Sequence, residues 1–339
     1  MRILIIGGTG FIGGAISREL VGQGHAVTVV HRGTTVVPGT DVIRADRRDI
    51  ERLRPQLAAN RPDVAIDTIL SSGRQTETVV RALSGIAARL IVLSSQDVYR
   101  ATGVLHGIEP GPPEPTPLTE DSPLRTVLQP YPAPLLAKLR DVFPWLDDQY
   151  EKILVERAAS TDPLLPATIL RLPMVYGPGD PLHRLYPIVK RVDDGRRTII
   201  VPRAAAEWRG TRGYVGNVAA AVAAAVVSPH AANRTYNIGE PAVPEIEWTR
   251  QVARAAGHTG SVVMVPDDRV PPHLVPPGNL AQDWETSSSR LREQLGFRDP
   301  VNRETALAAT VAWERAYPPP VDPAQFDYDA EDAALAADV

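Results

Sequence analysis

Three features of the sequence predict an α/β fold built on a doubly wound parallel sheet. An apolar, β-branched run at residues 3–6 leads directly into a glycine-rich turn at residues 7–13, and apolar residues at helical spacing follow that turn. Short β-branched runs and helical stretches then alternate along the chain, which is typical of parallel strands joined by helices. A length of 339 residues is sufficient for such a core and a smaller second lobe.

The glycine-rich turn predicts a phosphate-binding loop. Gly7 permits a tight turn, Gly10 lets the backbone approach a pyrophosphate, and Gly13 lets the following helix pack closely on the strand. The free N–H groups and the dipole at a helix N-terminus favour negative charge. The alternative is a flexible turn in some other strand–helix unit. We expect a dinucleotide to be bound here by Gly7, Thr9, Gly10, Phe11, Ile12 and Gly13.

The residues after the second predicted strand favour NADP as the cofactor, with NAD as the alternative. Dinucleotide folds usually place an Asp or Glu there for the adenosine ribose hydroxyls, whereas this chain has His31-Arg32-Gly33. Arg32 can pair bidentately with a 2′-phosphate, and no carboxylate at this position repels one. Otherwise Arg32 is a solvated loop residue. Asp46, after the third predicted strand, is expected to meet the adenine edge or to lie on the surface.

Two further segments are expected to border the ligand crevice. Ser95 and Asp97 follow the fifth predicted strand, at the sheet edge where ligands bind in such folds. Residues 103–134 contain nine prolines, which exclude regular structure. This Pro-rich insertion is either a lid or a surface insertion. Its position before a helix that carries Lys152 favours the lid.

We predict three regions along the chain. Residues 1–175 form a dinucleotide-binding domain that includes the Pro-rich insertion. Residues 176–317 form mainly a substrate-binding lobe, partly interleaved with the core. Residues 318–339 form an acidic tail, because acidic residues accumulate there and no Lys or Arg follows Arg315. We expect this tail to be loosely attached.

Composition excludes several classes of function. A net charge of −4 without a long basic run argues against a nucleic-acid-binding surface. No apolar stretch reaches the roughly 18 residues that span a bilayer. Because the chain opens with a strand, we expect no secretory signal and a cytoplasmic location. The absence of cysteine, of histidine pairs at ligand spacing and of a Gly-x-Ser-x-Gly elbow argues against metal sites and serine hydrolases.

Taken together, these landmarks resemble the extended or atypical branch of the short-chain dehydrogenase/reductase superfamily, the NAD-dependent epimerase/dehydratases. The resemblance implies a Rossmann-like sheet with a smaller C-terminal substrate-binding lobe, and an enzyme acting on a hydroxyl or carbonyl group of a small polar metabolite. The match spans about residues 1 to 300, and its segments, in the family's order, are residues 7–13, 94–99, 152–156, 170–178, 212–218 and 236–239.

The resemblance also implies roles for individual residues. In that family a Tyr deprotonates the substrate hydroxyl, a Lys four residues later lowers its pKa and binds the nicotinamide ribose, and a Ser orients the substrate oxygen. Ser95 matches the Ser, Lys152 matches the Lys, and Pro173 matches the residue beside the nicotinamide. Arg212 matches a position that often touches substrate phosphate in sugar-nucleotide enzymes. The substrate-binding residues expected on this basis are Ser95, Asp97, Tyr176 and Arg212.

The catalytic Tyr is the position that does not match. Asp148 stands four residues before Lys152. On a helix predicted over residues 147–160, Tyr150 lies about 200° round the axis from Lys152. Tyr150 could still serve if the helix begins late, and Asp148 could act as a carboxylate base. Otherwise hydride chemistry has been lost and Tyr150 is a core aromatic. The remaining alternative is a phenol from a loop, namely Tyr131, Tyr176 or Tyr214.

The leading hypothesis is therefore an NADP-dependent oxidoreductase with an atypical Ser95, Tyr150 (or Asp148) and Lys152 site. One alternative is a non-redox isomerase, cyclase or lyase on the same fold. Another is a catalytically silent NADP-binding sensor. Family relatives frequently dimerise through the helices predicted here at residues 74–88 and 147–160, so the resemblance allows a homodimer.

Overall fold

The structure, a computed structural model, describes residues 1–336. Its strands form one large and two small sheets. They are β1 (Arg2–Ile6), β2 (Ala26–His31), β3 (Thr40–Arg44), β4 (Val64–Asp67), β5 (Arg89–Ser95), β6 (Ala167–Leu172), β7 (Met174–Tyr176), β8 (Thr198–Pro202), β9 (Arg212–Tyr214), β10 (Arg234–Asn237) and β11 (Ser261–Val265).

Helices connect these strands and cover the sheets. They are α1 (Phe11–Gly22), α2 (Arg54–Asn60), α3 (Gly73–Leu83), α4 (Arg100–Leu105), α5 (Ala133–Val142), α6 (Lys152–Ala159), α7 (Tyr186–Asp193), α8 (Arg203–Ala206), α9 (Val215–Val227), α10 (Glu245–Ala255), α11 (Ser289–Leu295), α12 (Arg303–Ala316) and α13 (Tyr328–Ala336).

The central sheet confirms the predicted doubly wound α/β architecture. Its seven strands are all parallel and follow the order β10-β6-β5-β4-β1-β2-β3. The chain builds outward from β1 to β3 and then crosses back to place β4 on the other side of β1. That reversal opens a crevice at the carboxyl ends of β1 and β4, where ligands bind in such sheets.

Both faces of the sheet are covered by helices, which explains why its strands are apolar without alternation. On one face α1 and α9 pack together, with Ile16 and Leu20 against the alanine-rich α9. On the other face α3 and α6 contribute Val79 and Val155. Each fully buried side chain of this size stabilises the fold by about 1.5–3 kcal/mol.

A smaller lobe follows the sixth strand. Two parallel pairs, β8 with β11 and β7 with β9, accompany helices α7, α10 and α12. A separate apolar cluster joins these helices, and Trp248 of α10 lies in it together with Val189 of α7 and Val311 of α12. The α7–α10–α12 cluster lies beyond the crevice-facing end of β6.

The Pro-rich connection at residues 106–132, all within the described part, contains no helix or strand, while α4 and α5 extend into the two ends of the predicted insertion. It is nevertheless firmly attached. Arg125 is 2% exposed, its Nη2 donates to Glu151 Oε1 at 2.9 Å, and its Nε donates to the Asp97 carbonyl. The connection therefore lies against the end of β5 and the start of α6.

The expectation of a loosely attached acidic tail is wrong for the described residues. Residues 328–336 form α13, and Glu331 is 0% exposed. Its carboxylate accepts from Arg191 Nη2 at 2.6 Å and lies 3.0 Å from His273 Nε2. The buried Glu331 carboxylate thus holds α13 against the rest of the protein, although the tail is rich in acidic residues. Within residues 1–336, no helix is both long and apolar enough to cross a membrane.

We predict that Glu331→Ala destabilises the protein by about 3–5 kcal/mol, because it leaves the buried Arg191 guanidinium without its counter-charge. Urea unfolding followed by circular dichroism measures this change. Asp329→Asn, an exposed substitution on the same helix, is the control and should stay within about 0.5 kcal/mol of the parent. Equal stabilities for the two variants would show that α13 contributes nothing to the fold.

Candidate active site

The glycine turn between β1 and α1 has the geometry of a phosphate-binding loop. Gly7 has φ of 82°, in the left-handed region, and a Cβ there would lie 2.6 Å from Thr68 Oγ1. A Cβ on Gly13 would lie 2.2 Å from the Gly7 carbonyl oxygen. At Gly10, the N-cap of α1, a Cβ would meet nothing within 4 Å. The side of the turn that faces the protein therefore has no room for a side chain, whereas the side that faces the crevice is open.

The crevice contains an outer cavity of about 830 Å³ above this turn. Five of the predicted cofactor-binding residues line it: Gly7, Thr9, Gly10, Arg32 and Asp46. The carboxyl ends of β1, β2 and β3 therefore contribute to one cavity, as expected. Its volume and its position over the N-terminus of α1 suit the adenosine diphosphate half of a dinucleotide.

The outer cavity is rich in guanidinium groups. Arg32 is more than half exposed, and its Nη1 lies 3.5 Å from Asp46 Oδ2. Hydrogen bonds from Arg48, with further attraction from Arg32, hold the pKa of Asp46 at about 2. The buried imidazole of His31 also lines this cavity, and neither ring nitrogen has a partner among the described residues. The sequence analysis missed four further arginines in its wall, Arg47, Arg48, Arg74 and Arg140.

An inner cavity of about 260 Å³ adjoins the outer one, and the two share Trp145 and Leu146 in their walls. The predicted residues that line the inner cavity are Phe11, Ile12, Ser95, Tyr150, Lys152 and Pro173. The family resemblance implies catalytic or nicotinamide roles for Ser95, Tyr150, Lys152 and Pro173, whereas Phe11 and Ile12 are expected as part of the glycine-rich loop. The structure brings them to one cavity.

The start of α6 decides which candidate base reaches this cavity. The helix begins at Lys152 rather than at residue 147, because the Glu151 side chain caps it by accepting from Ile153 N at 2.8 Å. Tyr150 therefore precedes the helix, next to the extended Glu151, and the 200° separation from Lys152 does not apply. Asp148 is exposed and lines the outer cavity rather than the inner one.

Lys152 is buried at the base of the inner cavity. Its Nζ donates to the carbonyls of Leu70 at 2.5 Å and Leu93 at 2.9 Å. Burial lowers the pKa of this ammonium to about 8, against the opposing attraction of Asp97 and Asp67. The Nζ also lies 6.0 Å from the centroid of the Trp145 ring. These contacts fix the amine at the junction of the two cavities.

Tyr150 shares a carboxylate with a second tyrosine. Its hydroxyl donates to Asp97 Oδ2 at 2.7 Å, and the Tyr131 hydroxyl donates to the same oxygen at 3.1 Å. Burial raises the pKa of Asp97, and burial beside this carboxylate raises the pKa of both phenols well above the usual range. Both tyrosines are therefore neutral donors, and Asp97 is the group that can take up a proton.

Asp97 itself is 0% exposed and lies behind the two phenols. It therefore does not contact a ligand directly, contrary to its expected role as a substrate-binding residue. Its Oδ1 is buried without a hydrogen-bond partner among the described residues. Ser95 is hydrogen-bonded to the backbone of Asp97. Its Oγ accepts from Asp97 N at 3.1 Å, so the Ser95 hydroxyl proton remains available to the cavity.

Two other residues expected to bind the substrate, Tyr176 and Arg212, make their contacts outside the inner cavity. The Tyr176 hydroxyl is 3.2 Å from Glu240 Oε1, and its ring packs edge-on against Trp248. The Arg212 guanidinium stacks 4.4 Å from the centroid of the same Trp248 ring. Neither residue is in the wall of the inner cavity. Both belong to the packing of the smaller lobe.

Sequence reasoning also missed groups that do line the inner cavity. Tyr131 was only one of several candidate loop phenols, and its position in the Pro-rich connection gave no signal of its contact with Asp97. The buried Asp180 and the partly exposed Arg184 form an ion pair at 2.7 Å in the wall. Their spacing of four residues resembles any surface helix pair, so the sequence offered no means of finding them.

Two curated proteins match parts of the chain. The "Chloroplast stem-loop binding protein of 41 kDa b" of Arabidopsis thaliana is 32% identical over 120 residues, which is 31% of this chain. The "2'-dehydrokanamycin reductase" of Streptomyces kanamyceticus is 29% identical over 123 residues, which is 35% of this chain. In both comparisons the match spans about a third of the curated relative, 32% of its length.

The fold is similar to that of solved epimerase structures. The UDP-glucose 4-epimerase of Thermus thermophilus, solved in complex with NAD, superposes with a TM-score of 0.60 at 23% identity. The alignment covers 94% of this chain and 100% of that one. At this identity the similarity establishes the fold.

We predict that Gly13→Ala lowers the free energy of unfolding by about 1–3 kcal/mol and weakens dinucleotide binding, because its methyl group would collide with the Gly7 carbonyl and displace the turn. Calorimetric titration and thermal unfolding measure the two effects. Gly22→Ala, at the other end of α1 with nothing within 4 Å, is the matched control. A Gly13→Ala variant with unchanged affinity would contradict the phosphate-loop interpretation.

The family comparison covers most of the dinucleotide-binding part of the chain and continues past β10. Residues 3–239 match the family model of the NAD dependent epimerase/dehydratase family. That range begins at β1 and includes the glycine turn, Ser95, Tyr150 and Lys152. The chain belongs to the NAD dependent epimerase/dehydratase family.

Proposed function

We propose that the protein is an NAD(P)-dependent oxidoreductase that acts on a hydroxyl or carbonyl group of a small metabolite. The observation that carries this proposal is the convergence of Ser95, Tyr150 and Lys152 on one cavity that adjoins the glycine turn. Among the similar proteins, one is named a reductase and another is an epimerase solved in complex with NAD.

The chain's residues fit a dinucleotide along its whole length. The open side of Gly10 and the N-terminus of α1 would receive the pyrophosphate. Phe11, Ile12 and Pro173 would form the walls around the nicotinamide, and Lys152 would bind its ribose. When bound, the nicotinamide supplies or accepts the hydride.

The proton would move through Tyr150 to Asp97. During alcohol oxidation, the Tyr150 oxygen takes the proton of the substrate hydroxyl while the phenol passes its own proton to Asp97 Oδ2, 2.7 Å away. Carbonyl reduction reverses both transfers, so no net proton stays on Tyr150. Ser95 would donate its hydroxyl proton to the substrate oxygen. This relay suits a phenol whose pKa is raised, because Tyr150 never needs to exist as a free phenolate.

NADP is the cofactor that the outer cavity favours. The 2′-phosphate would meet the Arg32 guanidinium, which is more than half exposed, and the unpartnered His31 imidazole would lie beside it. No carboxylate follows β2 directly, and Asp46 is already paired with Arg48. Phosphate recognition by guanidinium supports this preference.

One observation keeps a non-redox reaction as the second candidate. The Asp97 carboxylate with its two phenols can move protons without a cofactor. Product formation by protein stripped of nucleotide would favour this isomerase or lyase over the oxidoreductase. Reduced-cofactor consumption, followed by absorbance with a panel of carbonyl compounds, tests the leading proposal directly, and complete inactivity in that assay would contradict it.

We predict that Asp97→Asn and Tyr150→Phe each lower kcat by about 10²–10⁴-fold, because each removes one step of proton transfer. Tyr317→Phe, on an exposed ring, is the control. Cofactor affinity should be unchanged in all three variants. Full activity in Tyr150→Phe would eliminate the relay.

The raised pKa of Asp97 sets the expected pH dependence. Alcohol oxidation needs the Asp97 carboxylate, so its rate should fall as the pH drops through this raised pKa. Carbonyl reduction needs the protonated acid, so its rate should fall as the pH rises through the same value. Measuring the rate against pH for oxidation and for reduction tests both of these dependences. If Asp97→Asn showed the same two pH dependences, another titrating group would be responsible for them.

We predict that Arg32→Ala weakens NADP binding by about ten- to hundredfold, the loss of one charge-assisted contact, and leaves NAD binding unchanged. Titration calorimetry with both cofactors measures the two dissociation constants. Arg52→Ala, an exposed arginine paired with Asp49, provides the control. Equal or tighter binding of NAD by the parent protein would reverse the cofactor assignment.

A further inference from the structure

The inner cavity carries information about the substrate that the reaction type does not. Beyond the groups assigned to the cofactor and the relay, its walls come from the Pro-rich connection, α5 and the loop after β7. The side chains that α5 and the segment after it present are apolar: Leu136, Leu139, Phe143 and Trp145. The part of the substrate that packs against this wall must therefore give up its contact with water.

The cations in this wall already have hydrogen-bond partners. Within the described residues, Lys152 and Arg184 are the two cationic side chains that line the inner cavity. Lys152 Nζ donates to two backbone carbonyls, which occupy its donors but leave its charge in place. Arg184 Nη1 donates to Asp180 Oδ1 at 2.7 Å and to the Val175 carbonyl at 2.9 Å. A ligand phosphate would therefore have to compete with these partners.

Arg212, the one arginine that the family resemblance would bring to a substrate phosphate, is also committed. Its Nη2 donates to Glu245 Oε2 at 2.5 Å, its Nη1 donates to the Gly210 carbonyl at 3.2 Å, and its plane covers Trp248. A diphosphate entering the inner cavity would thus lose its hydration beside an apolar wall and beside cations whose donors are already in use, which is unfavourable.

The volumes of the two cavities also argue against a substrate that contains a nucleoside diphosphate. The outer cavity, about 830 Å³, suits the adenosine diphosphate half of a dinucleotide. The inner cavity, about 260 Å³, must hold both the nicotinamide end and the substrate. A substrate that itself contained a nucleoside diphosphate would need a space comparable to the outer cavity.

Resting on the proposed function, we propose that the substrate is a small ketone or secondary alcohol with an apolar ring and no phosphate group. Its oxygen lies between Ser95 and Tyr150, and its ring packs against Leu136 and Leu139 of α5. The inner cavity thereby selects against nucleotide sugars.

The test measures binding by titration calorimetry to protein saturated with cofactor, with α-tetralone, acetophenone and cyclohexanone as probes against UDP-glucose. The ketones are titrated with oxidised cofactor and UDP-glucose with reduced cofactor, so neither combination turns over. We expect at least one ketone to bind ten times more tightly than UDP-glucose. Tighter binding of UDP-glucose than of every ketone would overturn the proposal.

Matched variants locate the binding site. Leu136→Glu places a charge in the cavity wall and should weaken ketone binding at least tenfold with cofactor affinity unchanged. Leu135→Glu, on the same helix but 40% exposed and outside the wall, should have no effect. Arg212→Gln, its folding checked by circular dichroism, should keep ketone affinity within twofold. Equal effects of the two leucine variants, or a tenfold loss in Arg212→Gln, would refute the assignment.

The same experiments separate this inference from the proposed function. Tight ketone binding without any hydride transfer would retain the inference and contradict the oxidoreductase. Hydride transfer with UDP-glucose at a higher kcat/KM than with every ketone would retain the oxidoreductase and overturn the inference.

Discussion

The buried ion pair between Arg125 and Glu151 joins three parts of the molecule that are far apart in sequence. Glu151 caps α6 through Ile153 N and accepts from Gln129 N at 2.7 Å, while Arg125 reaches the backbone of Asp97. Both side chains are almost fully buried, at 2% and 1% exposure. Removing either would leave a charge without a partner in the interior, at a cost of about 3–5 kcal/mol. The Pro-rich connection, the end of β5 and the start of α6 are therefore fixed together.

That constraint determines the acid–base character of the site. With α6 starting at Lys152, Tyr150 turns toward Asp97, and the Pro-rich connection brings Tyr131 to the same carboxylate oxygen. Burial then shifts both pKa values toward the neutral range, since it raises the pKa of Asp97 and lowers that of Lys152 to about 8. Groups shifted in this way are common at acid–base sites. The capacity to accept a proton belongs to the carboxylate rather than to the phenol.

The outer cavity of the crevice carries more exposed positive charge than the inner cavity. Guanidinium groups surround the outer cavity, where Arg32 and Arg74 are largely exposed and can respond to an anion. In the inner cavity, Arg184 is bound by Asp180, and aromatic and leucine side chains from the Pro-rich connection and α5 form much of the wall. A ligand that spans both cavities would therefore place its phosphates outside and its apolar end inside. This polarity follows from the exposure of Arg32 and Arg74, whose contacts with carboxylates are long at 3.5 Å, and from the close 2.7 Å pairing of Arg184 with Asp180.

The sequence by itself determined the sheet and the phosphate loop, because both depend on local patterns. Buried parallel strands must be apolar throughout, and the contact between Gly13 and Gly7 admits no side chain, so each leaves a readable signature. Most of the cofactor-binding residues that the sequence predicted also line the two cavities, since the carboxyl ends of parallel strands meet at one edge. Only the tertiary structure placed Tyr150 in the inner cavity and Asp148 in the outer one, because the side chain of Glu151 holds the helix start through partners 22 and 26 residues away. It likewise decided that Arg212 stacks on Trp248 and that Glu331 anchors α13, since a charged side chain's role depends on which opposite charge the fold places beside it.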